Sequence, residues 1–97
     1  MNKIQILSLL NQHWQEIQSR FTVKRLTLFG SAARDEMRED SDIDVLVEFD
    51  GPATFDGYMD LKFFLENILN RPVDLVTQKG LRKEVRPFVE KEAIHVT

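Results

Sequence analysis

Three aspartates are the residues best suited to chemistry. Asp42 and Asp44 stand in Ser41-Asp42-Ile43-Asp44-Val45-Leu46-Val47, a β-branched, apolar run that reads as a strand. Alternate side chains of a strand share a face, so the two carboxylates point one way and Ile43, Val45 and Val47 the other. Carboxylates spaced like this lie roughly 6–7 Å apart. At an effective dielectric near 20 they repel by about 2–3 kcal/mol. A divalent cation reverses that repulsion, and hard oxygen ligands suit Mg²⁺ or Mn²⁺. Asp74 interrupts a second apolar run, Val73-Asp74-Leu75-Val76-Thr77. That pattern predicts a strand buried on both faces, where an aspartate needs a partner or a metal. If the two strands are neighbours, all three carboxylates can converge on one or two metals. The alternatives are a turn role for Asp42 and a salt bridge from Asp74 to an arginine.

Gly30-Ser31 lies upstream, at the junction of a strand and a short helix. Glycine lets a ligand approach the backbone. The amides of a helix N-terminus suit phosphate oxygens, and the Ser31 hydroxyl can donate to the same oxygens. The pair is equally an ordinary helix start. A phosphate cradle beside a carboxylate-bound metal is the constellation for phosphoryl or nucleotidyl transfer.

Composition narrows the field. The chain has 97 residues, which suits one domain over 1–97 with little room for a second. It has no cysteine, so disulfides, thiol nucleophiles, zinc-thiolate sites and iron–sulfur clusters are excluded. The formal charge of −3 argues against direct nucleic-acid binding. No leader or membrane-spanning stretch is visible, and a cytoplasmic location is the default.

The elements that must position these groups follow from periodicity. Ile4, Leu7, Leu10, Trp14, Ile17 and Phe21 recur every three or four residues, predicting one amphipathic helix from about Lys3 to Arg20. Val23 to Phe29 reads as a strand, Ser31 to Met37 as a short helix capped by Ser31, and Ser41 to Phe49 as a second strand. A second amphipathic helix runs from about Asp56 to Leu69, with Tyr58, Leu61, Phe64, Leu65 and Ile68 on its apolar side and Asn70 as a left-handed cap. Tyr58, the one tyrosine, is a core position or a self-modification site. Val73 to Thr77 is a third strand, Pro87 sits in or near a last helix ending by Glu92, and Ala93 to Thr97 suits an edge strand. The order α-β-α-β-α-β-α, with a further short strand, is an α/β (α+β) fold with a small sheet flanked by helices. The link between the first two strands is too short for a parallel crossover with a full helix, so the sheet should be mixed.

Gly30-Ser31-Ala32-Ala33-Arg34, Ser41-Asp42-Ile43-Asp44-Val45-Leu46-Val47 and Arg71-Pro72-Val73-Asp74-Leu75-Val76-Thr77 together resemble the minimal nucleotidyltransferases (MNT) of the DNA polymerase β-like superfamily. The resemblance runs from Phe29 into the tail and implies the nucleotidyltransferase fold. It further implies that Gly30 and Ser31 hold the triphosphate of ATP, that Asp42 and Asp44 bind two Mg²⁺ ions, and that Asp74 is the third ligand and helps to activate the attacking hydroxyl. Arg34 belongs to the motif; it meets phosphate or forms a salt bridge with Asp42 or Asp40. The family usually has glycine where this chain has Asp35, which can alter the helix end or bring a negative charge near the nucleotide. Such proteins pair with a helical HEPN-domain ribonuclease as antitoxin and toxin. The implied reaction is transfer of AMP from ATP to a tyrosine hydroxyl of that toxin. The alternative is a non-catalytic antitoxin that acts by binding. With little room for an acceptor-binding domain, the chain is expected to take its acceptor from a partner.

Overall fold

The computed structural model describes residues 1–96. Thr97, the end of the expected last strand, lies outside the described residues. The elements are α1 (Lys3–Gln12), α2 (Trp14–Phe21), β1 (Val23–Phe29), α3 (Gly30–Ala33), β2 (Ile43–Phe49), α4 (Phe55–Leu69), β3 (Val73–Thr77), α5 (Arg86–Glu92) and β4 (Ile94–Val96).

The expected first helix is two helices. Asn2 and Gln5 form a reciprocal capping box that starts α1. The chain then leaves helical geometry at His13 (φ −101°, ψ 8°), which closes α1 and precedes α2. The break shifts the phase of the apolar stripe. Ile6 and Leu10 are fully buried, while Ile4, expected on the inner face, is 73% exposed. α4 follows its pattern closely. Thr54 caps it by accepting from the Gly57 amide, Leu61, Leu65 and Leu69 are fully buried, and Asn70 ends it at φ 53°. Burying each of these leucines contributes about 1.5–3 kcal/mol.

The sheet is mixed, in the order β3-β2-β1-β4. β1 is antiparallel to β2 and to β4, and β2 is parallel to β3. Period-two alternation then sorts the strands into two faces. Leu26, Leu28, Ile43, Val45, Val47, Val73 and Leu75 form the core with Ile6, Leu10, Ile17 and the α4 leucines. The second face carries Thr27, Phe29, Asp44, Leu46 and Asp74, by the same register. α5 lies over part of it, where Arg25, Thr27, Leu46, Gln78, Val89 and His95 line a cavity of about 220 Å³. Pro87 falls in the first turn of α5, where its missing N–H costs nothing. No helix among the described residues is long and apolar enough to cross a membrane.

Candidate active site

Strand pairing brings the three aspartates together. Asp44 lies in register with Asp74 on one side and Phe29 on the other, so the carboxylates of the central and edge strands are adjacent on the second face. Neighbouring strands are about 4.8 Å apart. Asp42 falls one residue before β2 rather than within it, because the ladder starts where the Ile43 amide donates to the Pro72 carbonyl (3.0 Å). It is still close enough for its charge to act on Asp44.

Asp44 registers this crowding. Burial pushes its carboxyl up from 3.8 to about 6, and the charges of Asp74 and Asp42 push the same way. A hydrogen bond with Asp74 favours the protonated form, and the positive charge of Arg34 pulls the value down. Asp42 and Asp74 are exposed. For Asp74 this corrects the expected strand buried on both faces. β3 is an edge strand, so one face packs on the core through Val73 and Leu75 while the other stays open.

Gly30 completes the cluster. It has φ +70°, and a Cβ at this position would overlap the Asp44 carboxylate. Both facts demand glycine. The backbone at the start of α3 therefore runs directly against the half-buried carboxylate. Ser31 is not the N-cap; Phe29 holds that position and Ser31 lies in the first turn, half-buried. α3 also ends at Ala33, short of the expected Met37, because Asp35 turns left-handed (φ 59°).

That conformation explains why glycine is the usual residue at Asp35 in the resembled motif. Here its Oδ1 accepts from the Lys3 amide at 2.9 Å, so the carboxylate caps the first turn of α1. Arg34 differs from expectation too. Its partners are neither Asp42 nor Asp40 but Glu36 (3.1 Å) and Glu92 (2.8 Å), which raise its pKa and tie α3 to α5. Glu92 is 58 residues away in the chain, and no local pattern signals it. Tyr58 is half-buried and its hydroxyl donates to the Leu75 carbonyl, the core alternative of the two.

The donor chemistry of the aspartates fits a hard divalent cation. The half-buried Asp44 resists ionisation because burial and the like charges of Asp74 and Asp42 oppose it. Among the described residues no group of three His, Cys, Asp or Glu side chains is placed to hold a metal ion by itself, as an all-protein cage would. Mg²⁺ seldom uses such a cage; it is held by one or two carboxylates together with substrate phosphates and water. The open array therefore suits an ion that arrives with a phosphate ligand. Sequence reasoning missed Arg71, whose Nη2 donates to the carbonyls of Arg38, Glu39 and Ser41 just before Asp42. A lone arginine before Pro72 carries no signal of that contact.

Comparison with known proteins agrees with this fold. A family model described as a nucleotidyltransferase domain matches residues 10–96. The protein adenylyltransferase MntA of Thermococcus cleftensis is 36% identical over 92 residues, covering 95% of this chain and 93% of that one. A solved structure provisionally described as a minimal nucleotidyltransferase superposes with a TM-score of 0.82 at 37% identity, covering 97% of this chain and 95% of the other. One chain of a solved complex, described as a tri-AMPylated HEPN toxin of Shewanella oneidensis with an MNT antitoxin, shares the fold. Its TM-score is 0.68 at 18% identity, covering 94% of this chain and 71% of that one.

Proposed function

The chain belongs to the nucleotidyltransferase-domain family, and from that premise we propose that it is an antitoxin that transfers AMP from ATP to a tyrosine hydroxyl of a partner HEPN-domain toxin. The observation that carries the reading is the Asp44 carboxylate, in register with Asp74 and pressed against the bare backbone of Gly30. A metal-and-phosphate site needs that juxtaposition, and packing alone does not reward it. The Thermococcus relative supports protein adenylylation, and the Shewanella complex supports a HEPN partner.

In this reading Asp42, Asp44 and Asp74 hold two Mg²⁺ ions, with Mn²⁺ able to substitute. When bound, the ions neutralise phosphate charge and make the acceptor hydroxyl more acidic. The first-turn amides of α3 and the Ser31 hydroxyl receive the triphosphate. Arg34, engaged by Glu36 and Glu92, fixes α3 against α5 rather than gripping phosphate. The acceptor oxygen attacks the α-phosphorus in line, the bond to the bridging oxygen breaks, and pyrophosphate leaves. Asp74, exposed on the edge strand, faces the approaching acceptor and helps to draw off its proton.

Intact-mass analysis tests this. The chain, its cognate partner, ATP and Mg²⁺ should give a partner heavier by whole AMP units. The double change Asp42→Ala with Asp44→Ala should remove the adduct. Adducts that persist in the double variant refute the assignment of the carboxylates. A wild-type chain that silences its partner with no adduct is instead a binding antitoxin.

A further inference from the structure

We infer that Arg71 is a positioning residue: it clamps the loop that carries Asp42 and so sets one side of the metal site. The inference rests on the assignment of Asp42 as a metal ligand.

Arg71 lies between the left-handed Asn70 and Pro72, at the entrance to β3. Its Nη2 donates to the carbonyls of Arg38 (2.8 Å), Glu39 (2.9 Å) and Ser41 (3.0 Å). The next residue continues the hold, since the Pro72 carbonyl accepts from the Ile43 amide at 3.0 Å. Asp42 is thus bracketed. The carbonyl before it is held by the Arg71 side chain, and the amide after it by the Pro72 backbone. Asp44 needs no such device, because it is paired with strands on both sides.

The loop has little else to define it. Within residues 38–41 the bonds are Ser41 amide to Arg38 carbonyl (3.1 Å) and Arg38 amide to Ser41 Oγ (3.0 Å). Arg38, Glu39, Asp40 and Asp42 are all exposed, so burial does not fix the segment. Arg71 is half-buried, and its Nε is buried without a hydrogen-bond partner. Leaving that N–H unpaired is a cost that must be offset by Nη2, whose two N–H groups are shared among the three carbonyls.

The choice of acceptors is informative. Among the described residues the Arg71 guanidinium forms no salt bridge with a carboxylate. It binds neutral carbonyls instead. Arg71 therefore holds the loop before Asp42 without forming an ion pair with the acidic cluster. β3 supplies the third carboxylate, and the segment that leads into it supplies the clamp for the first.

The test measures metal affinity apart from turnover. Mn²⁺ binding is followed by its electron paramagnetic resonance signal in the presence of a non-hydrolysable ATP analogue. Arg71→Met keeps the apolar stem and removes the donors; it should weaken Mn²⁺ binding about tenfold, the low end for loss of a group that orients a ligand. Arg71→Lys keeps a donor on a shorter stem, should lose about threefold, and carries the same comparison if Arg71→Met does not fold. In an Asp42→Asn background either change should add less than about twofold, because the clamp acts through Asp42. Equal losses in both backgrounds, or no loss in the wild-type background, overturn the clamp while leaving the metal site standing. Wild-type Mn²⁺ affinity in Asp42→Asn alone refutes the metal reading, and the clamp's role falls with it.

Discussion

Replacing Asp44 by asparagine should make the metal-free protein more stable while abolishing transfer. Burial and two like charges hold the Asp44 carboxyl at about 6 in the folded chain, against 3.8 when unfolded. The folded state therefore binds this proton more tightly. Its contribution to stability is fully present below pH 3.8, declines as pH rises through the window, and is lost above about pH 6. Near neutral pH the folded chain bears the whole cost of an ionised Asp44. A rise of about two pH units corresponds to about 3 kcal/mol. Asp44 is only half-buried, and solvent screening reduces this to roughly 1–1.5 kcal/mol. Asparagine keeps the shape and removes the charge. Urea unfolding of Asp44→Asn and wild type, in chelator at about pH 7.5, should show that gain, worth about 4–10 °C in Tm for a domain of this size. At about pH 4 the difference should shrink towards zero, because Asp44 is by then largely protonated in the wild type too. A variant no more stable than wild type near neutral pH, or one with the same gain at both pH values, would refute the electrostatic account. A stabilising change that destroys activity is the expected behaviour of a site that stores repulsion for a ligand.

Two further outcomes follow from the backbone around α3. Gly30→Ala should cost about 1–2 kcal/mol from its left-handed conformation alone. It should also displace the Asp44 carboxylate and lower adenylyl transfer about a hundredfold or more by misplacing that group; wild-type turnover in a folded variant contradicts the close approach. Asp35→Gly relieves a strained φ but removes the cap on α1. Terms of about 1 kcal/mol each should nearly cancel. Hydrogen exchange at the Lys3 amide should rise nonetheless, and unchanged exchange there would show that the cap contributes nothing.

Much of the site was legible in the sequence because its signals are local. Period-two alternation placed Asp44 opposite Ile43 and Val45, and Gly30 stood at the end of a β-branched run. Asn70 and Pro72 marked the end of α4 for equally local reasons. The errors share a different cause. No glycine or proline announces the break at His13, so the stripe in α1 and α2 read as continuous. Asp74 was expected to be buried because Val73, Leu75 and Val76 surround it, but whether a strand is central or at an edge depends on sheet order, not on its own residues. The partners of Arg34 went unseen because Glu92 comes near only when α5 packs beside α3.

By itself, the sequence determined the residue types of the candidate site and their local pattern: an all-oxygen donor set in and beside two strands and a glycine at the start of a short helix. These are consequences of residue type and spacing within a few positions. The tertiary structure decided how the groups meet. Parallel pairing of β2 with β3 set Asp44 beside Asp74, antiparallel pairing with β1 brought Gly30 against the Asp44 carboxylate, and Arg71 reached back across 30 residues to hold the loop before Asp42. The shift at Asp44 arises there as well, because repulsion and desolvation depend on distance through space, and only the folded chain fixes that distance.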